Sequence, residues 1–173
     1  MPSSDNIYLI GMMGSGKTVT GKALAGFLDY VFVDLDAEIQ QREGRSIPEI
    51  FEVSGEAYFR DVESAVLGDV SKKKHQVIAT GGGIVLREAN VQRMKMTGKV
   101  VLLTASAQSL WQRVRYSKDR PLLNKADPFG ALEQILNDRA GFYENACHFS
   151  VLTDGKIADD VANEIQEMLR AKA

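Results

Sequence analysis

The chain has 173 residues, 45% hydrophobic and 25% charged, with a formal net charge of −2. That length suits one domain with a sizeable core, and the near-neutral balance gives no general attraction for nucleic acid or an anionic membrane surface. No apolar run approaches the roughly 18 residues needed to span a bilayer. The first apolar run opens at Ile7, so no leader is expected, and Cys147 is the only cysteine, so no intrachain disulfide is expected and a reducing, cytoplasmic setting is anticipated.

Ile7-Tyr8-Leu9-Ile10 is a continuous apolar run, as suits a parallel strand covered on both faces. It leads into Gly11-Met-Met-Gly14-Ser15-Gly16-Lys17-Thr18, which matches G-x-x-x-x-G-K-[ST] between a strand and a helical pattern over Lys17–Leu28. Glycines there let backbone N–H groups turn inward on phosphate oxygens, and the helix adds its positive N-terminal end. Lys17 reaches the outer phosphates and the Thr18 hydroxyl suits Mg²⁺. The bland reading is a glycine-rich helix cap; the functional one is nucleoside triphosphate binding, with no acceptor named.

The second run, Val31-Phe32-Val33, ends on Asp34-Leu35-Asp36. While the chain stays extended, period-two geometry aims both carboxylates to one side. One then suits Mg²⁺ through water and the other a proton-accepting role; alternatively, either caps a helix beginning near Ala37. A helical stretch from about Glu56 to Val70 carries Arg60 within Gly55-Glu56-Ala-Tyr-Phe59-Arg60-Asp-Val-Glu63, and Glu63 is placed to pair with it at i+3. Val77-Ile78-Ala79 is the third strand. Gly81-Gly82-Gly83 after it reads either as a close backbone approach to a ligand or as a flexible turn.

Val100-Val101-Leu102-Leu103 is the fourth strand, followed by a helical pattern over Ser106–Tyr116. Arg113, Arg115, Lys118, Asp119, Arg120 and Lys125 crowd a segment that Pro121 interrupts. It reads as a solvated loop or as a lid whose arginine closes over a phosphate. Asp127 with Pro128 opens a further helix carrying Leu132, Ile135, Leu136 and Tyr143. Arg139 falls on that apolar stripe, so it either snorkels or serves an anion in a cleft. Cys147-His148 reads as a packed thiol beside a strand rather than a nucleophile–base pair. Phe149–Leu152 is a weaker fifth strand, and Ile157, Val161, Ile165, Met168 and Leu169 form the stripe of a last helix. Alternating strands and helices predict right-handed crossovers, a parallel sheet, and ligands at the carboxyl ends of the strands.

In that order, the phosphate loop, Asp34-Leu-Asp36, Gly55-Glu-x-x-Phe-Arg60-x-x-Glu63, Gly81–Gly83, Arg120-Pro-Leu-Leu123 and Arg139 resemble the shikimate kinase family, within the nucleoside-monophosphate-kinase-like P-loop fold. The resemblance covers essentially the whole chain. It implies an α/β fold, a three-layer α/β/α sandwich around a five-stranded parallel sheet of order 2-3-1-4-5. It implies one kinase domain over residues 1–173, with a substrate-binding helical region at about 35–62 and a lid at about 112–125. It implies transfer of the γ-phosphate of ATP to shikimate with Mg²⁺ by a monomer, in aromatic amino-acid biosynthesis, with no nucleic acid or membrane partner.

Residue by residue, the resemblance assigns Gly14, Ser15, Gly16, Lys17, Thr18 and Val19 to ATP and its phosphates, with Thr18 and Asp34 toward Mg²⁺. Asp36 resembles the contact to the ring hydroxyls and the candidate base. Arg60 and Arg139 resemble the pair that grips the substrate carboxylate, with Gly81, Gly82 and Gly83 against the ring. Arg120 resembles the lid arginine, and Lys17, Asp36 and Arg120 form the catalytic set. Arg113 resembles an adenine-stacking arginine. Some family members place a proline after the last strand; here Thr153-Asp154-Gly155-Lys156 stands there, and Lys156 is the candidate for that role. Two rival readings are another small-molecule kinase of the fold, such as gluconate kinase, and a non-catalytic kinase-like binding module.

Overall fold

The computed structural model describes residues 5–117 and 123–171. Strands β1 (Asn6–Ile10), β2 (Val31–Asp34), β3 (Gln76–Ala79), β4 (Gly98–Thr104) and β5 (Phe149–Leu152) form one sheet in the order β2-β3-β1-β4-β5. Every adjacent pair is parallel. Among the described residues seven helices pack around it: α1 (Lys17–Leu28), α2 (Leu35–Glu43), α3 (Ile47–Val70), α4 (Glu88–Thr97), α5 (Ala107–Val114), α6 (Pro128–Ala146) and α7 (Ala158–Ala171), with a 3₁₀ turn over Ile84–Leu86. Sheet order and the three-layer arrangement are those expected. Among the described residues no helix is long and apolar enough to cross a membrane.

β1 is central and buried along its whole length. Its side chains alternate between two cores, as a pleated strand requires. Ile7 and Leu9 pack with Leu24 of α1 and Val161 and Ile165 of α7. Tyr8 and Ile10 pack on the other face with Ile39, Leu67, Met94 and Tyr143 from α2, α3, α4 and α6. A third cluster, Met12, Met13, Leu110, Val114, Leu123 and Leu132, backs the loop after β1 and ties it to α5 and α6. Truncating a fully buried Leu or Ile in such a core costs about 2–5 kcal/mol, so the loop that follows β1 has a stiff base.

Several local expectations need correction. β2 ends at Asp34 and Leu35 already opens α2, so Asp34 and Asp36 do not share one strand face. α3 begins nine residues before the expected Glu56, at Ile47. A capping box starts it: Glu49 N–H donates to the Ser46 hydroxyl at 3.4 Å, and Ser46 N–H donates to the Glu49 carboxylate at 2.7 Å. Gly55 then breaks helical geometry inside α3 at φ 84°, ψ 169°. α4 was not expected, since only Asn90, Val91 and Met94 of its residues are buried and its apolar stripe is thin. α5 stops at Val114, a turn-half short of Tyr116, which is exposed. Ile157 precedes α7 and lies 67% exposed, so the buried stripe of that helix begins at Val161. Asp127 caps α6 as expected, accepting from Gly130 N–H at 3.0 Å.

Candidate active site

The loop from Gly11 to Thr18 joins β1 to α1 at the carboxyl edge of the sheet. Gly14 sits at φ 79°, in the left-handed region, and a Cβ there would lie 2.6 Å from the Val114 side chain. Both conditions demand glycine. Lys17 Nζ donates to the carbonyls of Gly11 at 2.8 Å and Met12 at 2.9 Å, so the ammonium lies across the loop it belongs to. Ser15 is fully buried, whereas Val19 is 58% exposed on the outer side of α1. Arg113 Nη1 donates to the Gly14 carbonyl at 3.0 Å and to the Thr153 hydroxyl at 3.1 Å. It thereby fastens the phosphate loop to the turn after β5. In that turn Asp154 accepts from Ser106 N–H at 3.2 Å, and Lys156 pairs with Glu164 of α7.

The capping reading of Asp34 holds, and its second carboxylate oxygen faces the phosphate loop. Its Oδ1 accepts from the N–H groups of Asp36 (3.1 Å) and Ala37 (3.2 Å), capping α2. Its Oδ2 accepts from the Thr18 hydroxyl at 3.1 Å. The hydroxyl and the carboxylate thus meet beside the phosphate loop. A small hard cation that keeps several waters and takes one or two protein oxygens plus phosphates fits this pair, since Mg²⁺ needs no all-protein cage.

Next to the loop lies a cleft of about 470 Å³ between α2, the start of α3, the Gly81–Gly83 segment and α6. Asp36, Arg60, Glu63 and Arg139 all reach it, with Phe51, Phe59 and Pro48 forming an apolar wall. Arg60 and Arg139 are only 8% and 7% exposed, and Glu63 is fully buried. Arg60 Nη1 donates to Glu63 Oε2 at 2.8 Å, and Nη2 donates to Glu56 Oε1 at 3.2 Å. Burial works against the Arg60 cation, but Glu63 and Glu56 outweigh it and hold its pKa above the ordinary value. Burial pushes the Glu63 carboxyl above the usual carboxylate range, Arg60 pulls it back, and Asp36 adds to the rise.

Two buried atoms of this cluster, Arg60 Nε and Glu63 Oε1, have no hydrogen-bond partner among the described residues. An unsatisfied buried polar atom costs about 1–3 kcal/mol, so native proteins keep few of them outside functional sites. Arg139 enters the cleft from the far side, on α6, rather than snorkelling to solvent. Two guanidinium groups from different helices thus converge with one buried carboxylate between them, an arrangement with donors to spare for a planar anion.

The three glycines have a reason the sequence alone did not distinguish. None of Gly81, Gly82 and Gly83 has a left-handed φ. What they supply is room: a Cβ on Gly81 would lie 2.8 Å from Glu63 Oε1 and 3.2 Å from Asp36 Oδ1, and one on Gly83 would lie 2.4 Å from Arg60 Nη2. At Gly81 and Gly83 only backbone fits against the charged cluster, whereas a Cβ on Gly82 would make ordinary contact, 3.5 Å from Arg139 Nη1. Sequence reasoning also passed over Tyr143, assigned to the apolar stripe of α6, whose hydroxyl donates to the Gly82 carbonyl at 2.5 Å. Its spacing of one helical turn from Arg139 was the available signal. Arg120, Lys118, Asp119 and Pro121 lie outside the described residues, and with them the centre of the expected lid. Cys147 and His148 lie at the other end of the sheet, just before β5. There His148 Nδ1 accepts from Val100 N–H at 2.9 Å and the Cys147 thiol faces the Glu144 carbonyl at 3.6 Å, as a packed thiol should.

The family model for shikimate kinase matches residues 13–170. A shikimate kinase from Nitrosospira multiformis is 40% identical over 167 residues, covering 96% of this chain and 86% of that protein. The solved structure of a shikimate kinase from Acinetobacter baumannii in complex with shikimate superposes with a TM-score of 0.96 at 37% identity, over 99% of this chain and 96% of that one. By contrast, a gluconokinase from Sinorhizobium meliloti reaches a TM-score of 0.62 at 17% identity over 100% of this chain and 95% of that one, a likeness of fold alone. The ordered motifs, the phosphate loop beside a doubly arginine-lined cleft, and these matches agree: the chain belongs to the shikimate kinase family.

Proposed function

We propose that this ATP-dependent small-molecule kinase moves the γ-phosphate of ATP to the 3-hydroxyl of shikimate, giving ADP and 3-phosphoshikimate. The observation that carries the assignment is the pair of buried guanidinium groups, Arg60 and Arg139, facing one cleft beside the phosphate loop. Shikimate brings a planar carboxylate for those two groups and ring hydroxyls for Asp36. The backbone of Gly81–Gly83 lies close enough to line the ring, and Phe51 and Phe59 offer it an apolar wall.

Phosphoryl transfer rests on positioning and charge neutralisation rather than covalent help. In this reading Arg60 and Arg139 fix the ring through its carboxylate and leave one hydroxyl in line with the γ-phosphate. Asp36 orients that hydroxyl and accepts its proton as the new bond forms. Loop N–H groups from Gly14 to Thr18 cradle the phosphates, with Val19 adjoining, and Lys17 leaves its loop carbonyls to meet the outer phosphates. Mg²⁺, when bound, neutralises phosphate charge; Thr18 and Asp34 are the residues that would hold it. Arg120, which lies outside the described residues, is the arginine this reading assigns to the γ-phosphate. Arg113, braced against Gly14 and Thr153, and Lys156 flank the place for adenine. Glu63 keeps Arg60 extended into the cleft; without it the guanidinium would be a buried, half-paired charge.

A coupled assay of ADP release with shikimate, gluconate and nucleoside monophosphates, each offered alone, tests the proposal. Turnover with shikimate only is the expected result. Turnover with gluconate instead, or with none of the three, would replace it with a different kinase or with a non-catalytic binding module.

A further inference from the structure

Tyr143 belongs to the buried face of α6, one turn beyond Arg139, and is 3% exposed. A buried tyrosine is ordinarily a hydrophobic filler whose hydroxyl finds any convenient partner. This hydroxyl meets a particular set. It donates to the carbonyl of Gly82 at 2.5 Å, the Met12 thioether of the phosphate loop lies 4.0 Å away, and the Arg139 guanidinium, one turn back on the same helix, is near enough to act on it electrostatically. A hydroxyl has a single donor position, and this one is spent on the glycine segment. Burial raises its pKa above the ordinary phenol value, with Arg139 pulling the other way, so the group remains a neutral donor at physiological pH.

The geometry matters because, among the described residues, this is the hydrogen bond that ties α6 to the Gly81–Gly83 segment. Gly82 and Arg139 are neighbours across the cleft: a Cβ on Gly82 would lie 3.5 Å from Arg139 Nη1 and 3.5 Å from Met13 N. Each side chain or peptide contributes one wall, and the two walls come from elements 61 residues apart between Gly82 and Tyr143. We infer that Tyr143 is a positioning residue that fixes the Gly82 peptide against α6 beside the Arg139 guanidinium, so that the backbone wall and the carboxylate-binding group keep one spacing toward the ring. This rests on the reading of Arg139 as a carboxylate contact. Tyr143 itself does not touch the substrate in this account; it acts through the Gly82 peptide and the spacing of that peptide from Arg139. Misplacing a binding group by even ~1 Å can cost ~100-fold in rate, which makes one short bond a plausible lever.

Steady-state kinetics and thermal unfolding of Tyr143→Phe, Arg139→Ala and the double variant separate the possibilities. Tyr143→Phe keeps the ring in the core and removes only the oxygen. The expected result is a KM for shikimate raised about tenfold, a KM for ATP changed less than about twofold, and a tenfold effect that shrinks below about twofold in the Arg139→Ala background. Lowered thermal stability with both KM values unchanged would make Tyr143 a structural residue only and overturn the inference. So would equal losses toward shikimate and ATP, or an undiminished effect in the double variant. Should Tyr143→Phe fail to fold, Gly82→Ala, which adds a methyl between the same two walls, must raise the shikimate KM selectively, and an unselective effect would count against the inference. Arg139→Ala with unaltered shikimate kinetics would instead sink the reading of the site beneath it.

Discussion

Two groups of buried polar side chains sit at opposite ends of the same sheet, and they are built on different rules. At the amino end, Asn6 donates to the Lys73 carbonyl at 2.8 Å and accepts from Gln76 N–H at 3.2 Å. Gln76 donates to the Val70 carbonyl at 3.0 Å, and the Tyr8 hydroxyl meets Thr97 at 2.7 Å. All four are neutral and satisfied by their neighbours. At the carboxyl end stand Arg60, Glu63 and Arg139, charged, buried and carrying two atoms with no partner among the described residues. Polar burial that closes on itself holds a fold together; polar burial with capacity left over is arranged for something else. The two ends of one sheet therefore separate stability from binding, and substitutions can test how cleanly.

The largest effect is expected at the carboxyl end. Asp36→Asn keeps the shape and removes the proton acceptor, so kcat should fall at least ~100-fold while the KM for ATP and the melting temperature stay close to wild type. A rate near wild type would take Asp36 out of the chemistry. Next comes Arg139→Ala. Losing one partner of a desolvated charge pair costs about 2–5 kcal/mol, which predicts a KM for shikimate at least ~30-fold higher with ATP binding nearly normal. The comparison breaks if this variant unfolds more easily but binds shikimate as before.

The smallest effect on function belongs to the amino end. Asn6→Ala strands the Lys73 carbonyl and the Gln76 amide, so a loss of about 1–3 kcal/mol in unfolding free energy is expected from urea titration. Both KM values and kcat should be unchanged in the folded enzyme. A selective kinetic defect there would show that the two ends are coupled.

Much of this was legible in the sequence where one residue type had a single physical use. The phosphate loop and the bounds of α1 followed from glycines, a lysine and an apolar strand in fixed order. Arg139 on an apolar stripe left two readings, snorkelling or facing a cleft, and the structure buries it and aims it into the cleft. What sequence patterns missed had weak or conflicting signals. α4 buries little apolar surface. Gly55 masked the first turns of α3, although Ser46 and Glu49 carried the capping-box spacing. Gly81–Gly83 read either as a close backbone approach or as a flexible turn, and what decides it, crowding by Glu63, Asp36 and Arg60, is a tertiary fact. Tyr143 looked like core because its polar partner, the Gly82 carbonyl, is distant in the chain.

The central claim is that Arg60 and Arg139 together seat a carboxylate. Calorimetric titration of the wild-type protein and of Arg139→Ala with shikimate and with its uncharged carboxamide tests it most directly. The wild type should bind the carboxamide at least ~30-fold more weakly than shikimate, a difference of about 2 kcal/mol, and Arg139→Ala should bind the two with affinities much closer together. Equal affinity of the wild type for acid and amide would contradict the account.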